Sequence, residues 1–228
     1  MCFSAQASFA AAAGLSIISL LSVKKAPTKK LIPLAISPFF FALQQACEGL
    51  VWITLNAGDS TSSMHMIGTY GFLFFAALWW PIWIPLALYI PEKVPSRKKL
   101  LGTIIGLGTL TGITMFISWA FYTNGAQVIN HHIDYPVDNY PFGITNTFIA
   151  QLISWIVSLS YCLATIAPFF ISSIAYTWIL GIAVGSGLVI ACLFYLVAFP
   201  SVWCFFAAIS SGLLYFIISR EKRVITKR

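Results

Sequence analysis

Long apolar stretches, separated by short polar segments, run along the entire sequence, and their lengths are those of transmembrane helices. A helix of about 20 predominantly apolar residues crosses the hydrocarbon core of a bilayer. The stretches that meet this condition are residues 3–23, 31–55, 66–90, 100–122, 142–167, 174–198 and 201–219. The pattern therefore predicts an all-α protein, an integral membrane seven-helix bundle that forms a single domain over residues 1–228.

Composition and charge support a membrane location. Hydrophobic residues make up 59% of the chain and charged residues 8%, whereas a soluble domain has about 25% charged residues. All 13 Lys and Arg residues lie within residues 24–30, 93–99 and 220–228, each beside the end of an apolar stretch. The positive-inside rule then predicts an outer N-terminus and a cytoplasmic C-terminus. Because the net charge of +7 is confined to membrane edges, we expect contact with the lipid bilayer and no nucleic-acid binding.

The second apolar stretch carries polar groups that lipid contact does not explain. Within it lie Gln44, Gln45 and Glu48, and a charged side chain inside a bilayer costs roughly 2.5 kcal/mol or more. Gln44, Glu48 and Trp52 recur every four residues, which places them on one face of a helix. We expect the other helices to close around this face. A functional carboxylate is the favoured interpretation, and a structural one, protonated or bonded to neighbours, is the alternative.

Further polar residues lie toward the same outer end of other stretches. Glu48 lies about seven residues, or roughly 10 Å, below that end of its helix. Together these positions predict an outward-facing polar pocket that binds a small solute or a lipid headgroup for sensing or transport. Its expected ligand-binding residues are Glu48, Gln44, Gln45, Trp52, Ser4, Asn146, Gln151 and Tyr70.

A second hypothesis makes the protein an enzyme with Cys2 as its nucleophile. Removal of Met1 would leave a free amine and thiol at the outer membrane face, and the thiolate is the reactive form of cysteine. The amine or Glu48 would act as the base, and Gln44 or Gln45 would stabilise the oxyanion. The reaction would be that of a thiol-dependent hydrolase or acyltransferase. An inert Cys2 at the membrane interface is the alternative.

A third hypothesis is a metal or haem site at the outer face, with Cys2, Glu48 and histidines as ligands. The candidate histidines have no recognised ligand spacing, so solvated loop histidines are the favoured interpretation for His65, His131 and His132. The five cysteines form no Cys-x-x-Cys pair. The identity of any cofactor stays open, and a structural subunit of a larger membrane complex is a further alternative.

Two short motifs resemble those of a known family. The opening MCFSAQASF is similar to the pattern MCFSA-x-x-SF, and QQACEGLVW in the second stretch is similar to QQ-x-x-EG-x-x-W. These patterns are typical of a family of small bacterial membrane proteins with about seven spans, whose function is uncharacterised. The resemblance implies that Cys2 and Glu48 matter together and that the protein lies in the bacterial inner membrane. It implies no activity, substrate or cofactor.

Overall fold

The computed structural model describes residues 4–123, 125–129, 132–136, 147–194 and 198–226 of the chain. Within these residues, seven helices are long and apolar enough to cross a membrane. They are α1 (Ala5–Lys25), α2 (Lys29–Asn56), α3 (Ser63–Tyr89), α4 (Pro95–Tyr122), α5 (Thr147–Ile171), α6 (Thr177–Phe194) and α7 (Phe199–Ser211, continued by Leu213–Thr226). The prediction of an all-α membrane bundle with seven helices is confirmed, and the chain is an integral membrane protein.

The helices pack in chain order, and α7 closes the ring by contacting α1 and α2. At least half of the most apolar part of α2, α3 and α7 is buried, so these three helices form the centre of the bundle. Lys and Arg lie only in the α1–α2 and α3–α4 connections, at the adjoining helix ends and at the C-terminal end of the chain. Alternating helices bring these segments to one end of the bundle, which we call the basic end. We call the other end of the bundle the opposite end.

A proline in α3 creates a hydrogen bond between two helices. Residues Phe74–Trp79 form a π-helical turn, in which the Trp80 backbone N–H donates to the Phe75 carbonyl. The next helical donor, at Pro81, does not exist because proline has no N–H. The Ala76 carbonyl, left without its helical partner, accepts a hydrogen bond from the Tyr161 hydroxyl on α5. The irregular helix thus ties α3 to α5 inside the bundle.

The same part of α3 packs directly against the backbone of α4. An ideal Cβ on Gly108 would lie 1.9 Å from the Pro81 carbonyl oxygen, so no side chain larger than hydrogen fits there. An ideal Cβ on Gly112 would lie 3.0 Å from the Leu78 carbonyl oxygen. Small residues allow such close approach of membrane helices. In contrast, a Cβ on Gly106 would have no neighbour within 4 Å.

A small hairpin covers the opposite end of the bundle. Strand β1 (Gln127–Ile129) pairs antiparallel with β2 (His132–Asp134), with Val128 opposite Ile133. The Ile133 side chain is fully buried, and the Tyr135 ring stacks on Phe72 of α3 at 4.5 Å between centroids. The α4–α5 connection therefore contributes to the core instead of lying entirely in solvent.

A buried carboxylate joins two connections at the basic end. Glu92 accepts hydrogen bonds from the backbone N–H groups of Lys93 and Val94, both at 2.9 Å. It also accepts from the backbone N–H and the hydroxyl of Ser173, both at 2.7 Å. Burial alone would raise the pKa of Glu92, but these hydrogen bonds to the carboxylate lower it below its ordinary value. The α3–α4 connection is thereby attached to the α5–α6 connection.

We predict that Gly108→Ala destabilises the bundle by about 1–3 kcal/mol or more, because α3 and α4 must separate to admit the methyl group. The matched control is Gly106→Ala on the same helix, where the methyl group meets nothing within 4 Å. The measurement is thermal unfolding of the purified proteins in detergent. Equal melting temperatures for the two variants would contradict the close contact.

The Glu92 hydrogen bonds predict a pH-dependent stability. Because the folded pKa is lowered, their stabilisation is complete above the ordinary pKa of 4.5 and is lost as the pH falls through the folded value. At neutral pH, Glu92→Gln should destabilise by about 1.5–3 kcal/mol, the range for hydrogen bonds to a charged group.

The measurement is the melting temperature of each protein at pH 7 and at pH 4. Acid should lower the melting temperature of Glu92→Gln less than that of the wild type, since the variant has lost this contribution. Glu221→Gln, which changes a carboxyl outside these hydrogen bonds, serves as the control. An identical acid response of the wild type and Glu92→Gln would be incompatible with this assignment.

Candidate functional site

The carboxylate of Glu48 lies in the centre of the bundle and has no exposed surface. The Ser201 hydroxyl in the first turn of α7 donates to one carboxylate oxygen, Oε1. The Gln45 amide Nε2, three residues earlier on α2, donates to Oε2 at 3.3 Å. Glu48 is thus enclosed by protein on all sides. Its hydrogen-bond partner on α7, Ser201, is 153 residues away in sequence.

Gln44 extends this polar arrangement to α3. Its Oε1 accepts a hydrogen bond of 2.7 Å from the indole N–H of Trp80, and its amide faces the thiol of Cys204. The Trp80 ring is itself stacked on Phe41 of α2 at 3.6 Å between centroids. Cys204 lies about one helical turn after Ser201 and so on the same face of α7. We call Gln44, Gln45, Glu48, Trp80, Ser201 and Cys204 the polar layer.

Helix α1 covers the polar layer from the side. The ring of Phe9 lies against Gly49, where an ideal Cβ would approach it to 2.7 Å. The preceding Ser8 is fully buried, and Ala5 packs beside the apolar cluster that contains Trp52. The described part of the first sequence motif therefore packs directly against the second. Gly49 has a structural reason to be glycine, since a methyl group there would meet the ring.

Four buried polar atoms in or beside the polar layer have no hydrogen-bond partner within the described residues. They are Ser8 Oγ on α1, and Gln44 Nε2, Gln45 Oε1 and Trp52 Nε1 on α2. Buried polar atoms are nearly always paired in folded proteins, so each unpaired one needs an explanation such as a water or a ligand. Because these atoms include a hydroxyl, an acceptor and a donor, they can pair with either a hydrogen-bond donor or a hydrogen-bond acceptor.

Mostly apolar groups separate the polar layer from both ends of the bundle. Toward the opposite end lie Val51, Trp52, Phe72, Ile133 and Tyr135, all buried in one cluster. Toward the basic end lies a cavity of about 50 Å³, bordered by Trp80, Cys204, apolar side chains and the hydroxyl-bearing residues Ser37, Tyr161, Thr165 and Ser211. The structure therefore differs from the predicted outward-facing pocket around Glu48. Glu48 does not lie open to the outside, because the hairpin and the cluster beneath it cover that route.

A larger groove opens on the side of the bundle between α4, α5, α6 and α7. Its volume is about 470 Å³, within the range of about 300–1,000 Å³ that is usual for small-molecule sites. Trp155 and Leu159 at its edge are 75% and 73% exposed, so the groove faces the region that lipid occupies. Its inner wall is formed by Met115, Trp119, Tyr161, Leu188, Pro200, Trp203 and Cys204. The groove therefore reaches the polar layer at Cys204.

Other residues expected at the site lie apart from the polar layer. Ser4 caps α1 by accepting a hydrogen bond from the backbone N–H of Ala7 at 3.2 Å. Tyr70 is exposed on α3, and its hydroxyl donates to the Ala120 carbonyl at 3.5 Å. Gln151 is exposed on α5. Cys2 and Asn146, with His131, lie outside the described residues.

The interpretation of His65 as a solvated loop residue is wrong. His65 lies in the first turn of α3, is 3% exposed, and its Nδ1 lies 2.9 Å from the Thr54 hydroxyl. With residues 125–128, His65 borders an open pocket of about 550 Å³. His132 is half-buried on β2. Among the described residues, no group of three or more His, Cys, Asp or Glu side chains is placed to hold a metal ion.

Sequence reasoning did not find Ser201, Trp80 or Cys204. Serine and cysteine in an apolar span usually pack as small residues, and tryptophan is typical of membrane interfaces. The one local signal is the Phe-Pro pair before Ser201, which favours a helix start at that position. It does not show which distant helix the hydroxyl meets.

Comparison with known proteins gives a family and no activity. The family of unknown function DUF6629 matches residues 1–228. No curated protein and no solved structure matches the chain. Any function must therefore be inferred from the geometry of the polar layer and the groove.

We predict that Ser201→Ala lowers the stability of the bundle by about 1–3 kcal/mol, since it removes a donor from a fully buried carboxyl group. The matched control is Ser210→Ala on the same helix, whose hydroxyl only donates to the Phe206 carbonyl at 2.8 Å. Thermal unfolding in detergent measures both variants. A Ser201→Ala protein as stable as Ser210→Ala would show that the α2–α7 hydrogen bond is dispensable.

Proposed function

Because this chain belongs to a family of unknown function, DUF6629, we infer its role from the site itself, and we propose that it binds an amphiphilic molecule from the bilayer. The molecule enters the groove between α4 and α7, and the polar layer around Glu48 responds to its presence. This makes the protein a membrane receptor for a lipid or a lipophilic small molecule. Bacterial origin, inner-membrane location and an outer N-terminus stay predictions.

The observation that carries the proposal is the position of the groove. It lies within the membrane-spanning part of four helices, and its mostly apolar wall suits the tails of a lipid. A pocket of this kind combines an apolar lining with a few polar groups that orient the ligand. Molecules dissolved in the bilayer can reach it from the side, where Trp155 and Leu159 are exposed.

Helix α7 provides the connection between the groove and Glu48. Pro200, Trp203 and Cys204 line the groove, whereas Ser201 between them donates to the carboxylate. The Trp203 indole N–H also donates to the Val184 carbonyl of α6 at 3.2 Å. A ligand that displaces this wall would move Ser201 relative to Glu48. Differential contact of this kind is what lets a ligand shift a conformational equilibrium.

The enclosure of Glu48 favours sensing over transport. A transporter needs alternating access to its substrate site from both sides, whereas Glu48 has no exposed surface in the structure. The unpaired atoms Ser8 Oγ, Gln45 Oε1 and Trp52 Nε1 give the layer capacity for an alternative hydrogen-bond arrangement. The thiol-enzyme hypothesis depends on Cys2, which lies outside the described residues, so our proposal does not draw on it.

We predict that Leu188→Trp, which fills the groove, lowers labelling by dioleoylglycerol with a photoreactive diazirine in one acyl chain at least fivefold. The matched control is Val189→Trp, because Val189 is the next residue on α6 and is 55% exposed away from the groove. Each protein is irradiated in nanodiscs, and labelled peptides of α4, α5 and α7 are quantified by mass spectrometry. Equal labelling of both variants and the wild type would refute a lipid site in the groove.

A further inference from the structure

A second, smaller cavity adjoins the groove between α4 and α5. Its volume is about 130 Å³, and its polar lining consists of the hydroxyls of Thr114, Ser118, Ser154 and Ser158. The small cavity and the groove share Met115, Trp119 and Ser158 as lining residues, so the two are direct neighbours. We call the small cavity the hydroxyl arm.

The hydroxyls of this arm differ from other hydroxyls in the spans. A serine or threonine in a membrane helix usually donates to a carbonyl of the preceding turn, which hides its polar group from lipid. Hydroxyls that do so here include those of Ser16, Ser22, Thr109, Thr165, Ser186 and Ser210.

Within the described residues, none of the four hydroxyls in the arm has a hydrogen-bond partner. Ser118 is 8% exposed and borders the cavity, whereas Ser154 and Ser158 occupy exposed positions of α5. A hydroxyl without a hydrogen-bond partner can both donate to a ligand and accept from it. The arm therefore offers polar binding groups beside the apolar groove.

Charge restricts the ligand that the arm accepts. The chain has its 13 Lys and Arg residues only in the segments of the basic end. Ser118 lies 23 residues after Pro95, the first residue of α4, which is roughly 35 Å along the helix axis at 1.5 Å per residue. No lining residue of the arm is charged. A phosphate group in the arm would therefore have no cation to neutralise it.

We propose that the hydroxyl arm is the headgroup subsite of the groove, and that it selects an uncharged amphiphile whose head carries hydroxyl, ester or ketone oxygens. This rests on the proposed binding function and narrows it to neutral lipids. A serine hydroxyl both donates and accepts, so it pairs with hydroxyl and carbonyl groups alike. The apolar body of the same molecule lies in the 470 Å³ groove.

A second copy of the chain is the other possible occupant, since serine and threonine also form hydrogen bonds between membrane helices. The geometry favours the lipid. The arm lies directly beside a groove of 470 Å³, and a flat helix face from another copy would leave most of that groove empty. Oligomeric state is therefore measured beside lipid binding.

The test compares two probes with identical chains, dioleoylglycerol and dioleoyl phosphatidate, each with a diazirine in one acyl chain. The protein in phosphatidylcholine nanodiscs is irradiated with either probe, and labelling in the groove is quantified. For the wild type we expect labelling by the diacylglycerol about tenfold above that by phosphatidate. In the double variant Ser154→Ala/Ser158→Ala, labelling by the diacylglycerol should fall about tenfold, the effect of losing two hydrogen bonds.

The control is Ser186→Ala, which removes an exposed hydroxyl that already donates to the Ile182 carbonyl at 2.8 Å. It should label like the wild type. Equal labelling of the wild type by both probes, or a double variant that labels like the wild type, would overturn the headgroup subsite while the proposed groove stands. Absence of labelling by either probe in the wild type would overturn the groove and the subsite together. A dimer that dissociates in the double variant would assign the hydroxyls to a contact between copies.

Discussion

The structure depends on one constraint, the burial of a carboxyl group inside a membrane bundle. Glu48 has no exposed surface, and a bilayer offers no water to satisfy it, so its hydrogen bonds must come from the protein. Ser201 on α7 and Gln45 on α2 supply them. The requirement holds α7 against α2 at the centre, and the remaining helices enclose this pair.

Other polar groups in the bundle obey the same constraint and produce its further connections. Pro81 deprives the Ala76 carbonyl of its helical donor, and Tyr161 on α5 replaces that donor. At the basic end, the carboxylate of Glu92 satisfies the N–H and hydroxyl of Ser173 in a different connection. These polar groups, which cannot be satisfied within their own helices, thus form hydrogen bonds between two elements.

Some of the exceptions to this constraint lie at the places where we propose the function. Unpaired polar atoms are found in or beside the polar layer, and unpartnered hydroxyls line the arm of the groove. Natural proteins retain unsatisfied groups mainly where function requires them. Helix α7 joins the two places, since Cys204 and Pro200 line the groove and Ser201 between them bonds Glu48. A lipid receptor accounts for both sets of unsatisfied groups with one mechanism.

The sequence by itself determined the seven spans, the segments of the basic end and the helix face that carries Gln44, Glu48 and Trp52. These properties depend on the composition of a stretch and on the helical period of 3.6 residues, both of which can be read from neighbouring residues in the sequence. Only the tertiary structure decided that Ser201 is the partner of Glu48, that the hairpin covers His65, and that the polar layer is closed. Each of these depends on contacts between residues far apart in sequence, and one apolar span gives no signal of which neighbour it faces. Lipid is as apolar as the helices, so apolar periodicity in a membrane protein cannot identify the inner face, and polar groups and close packing decide it.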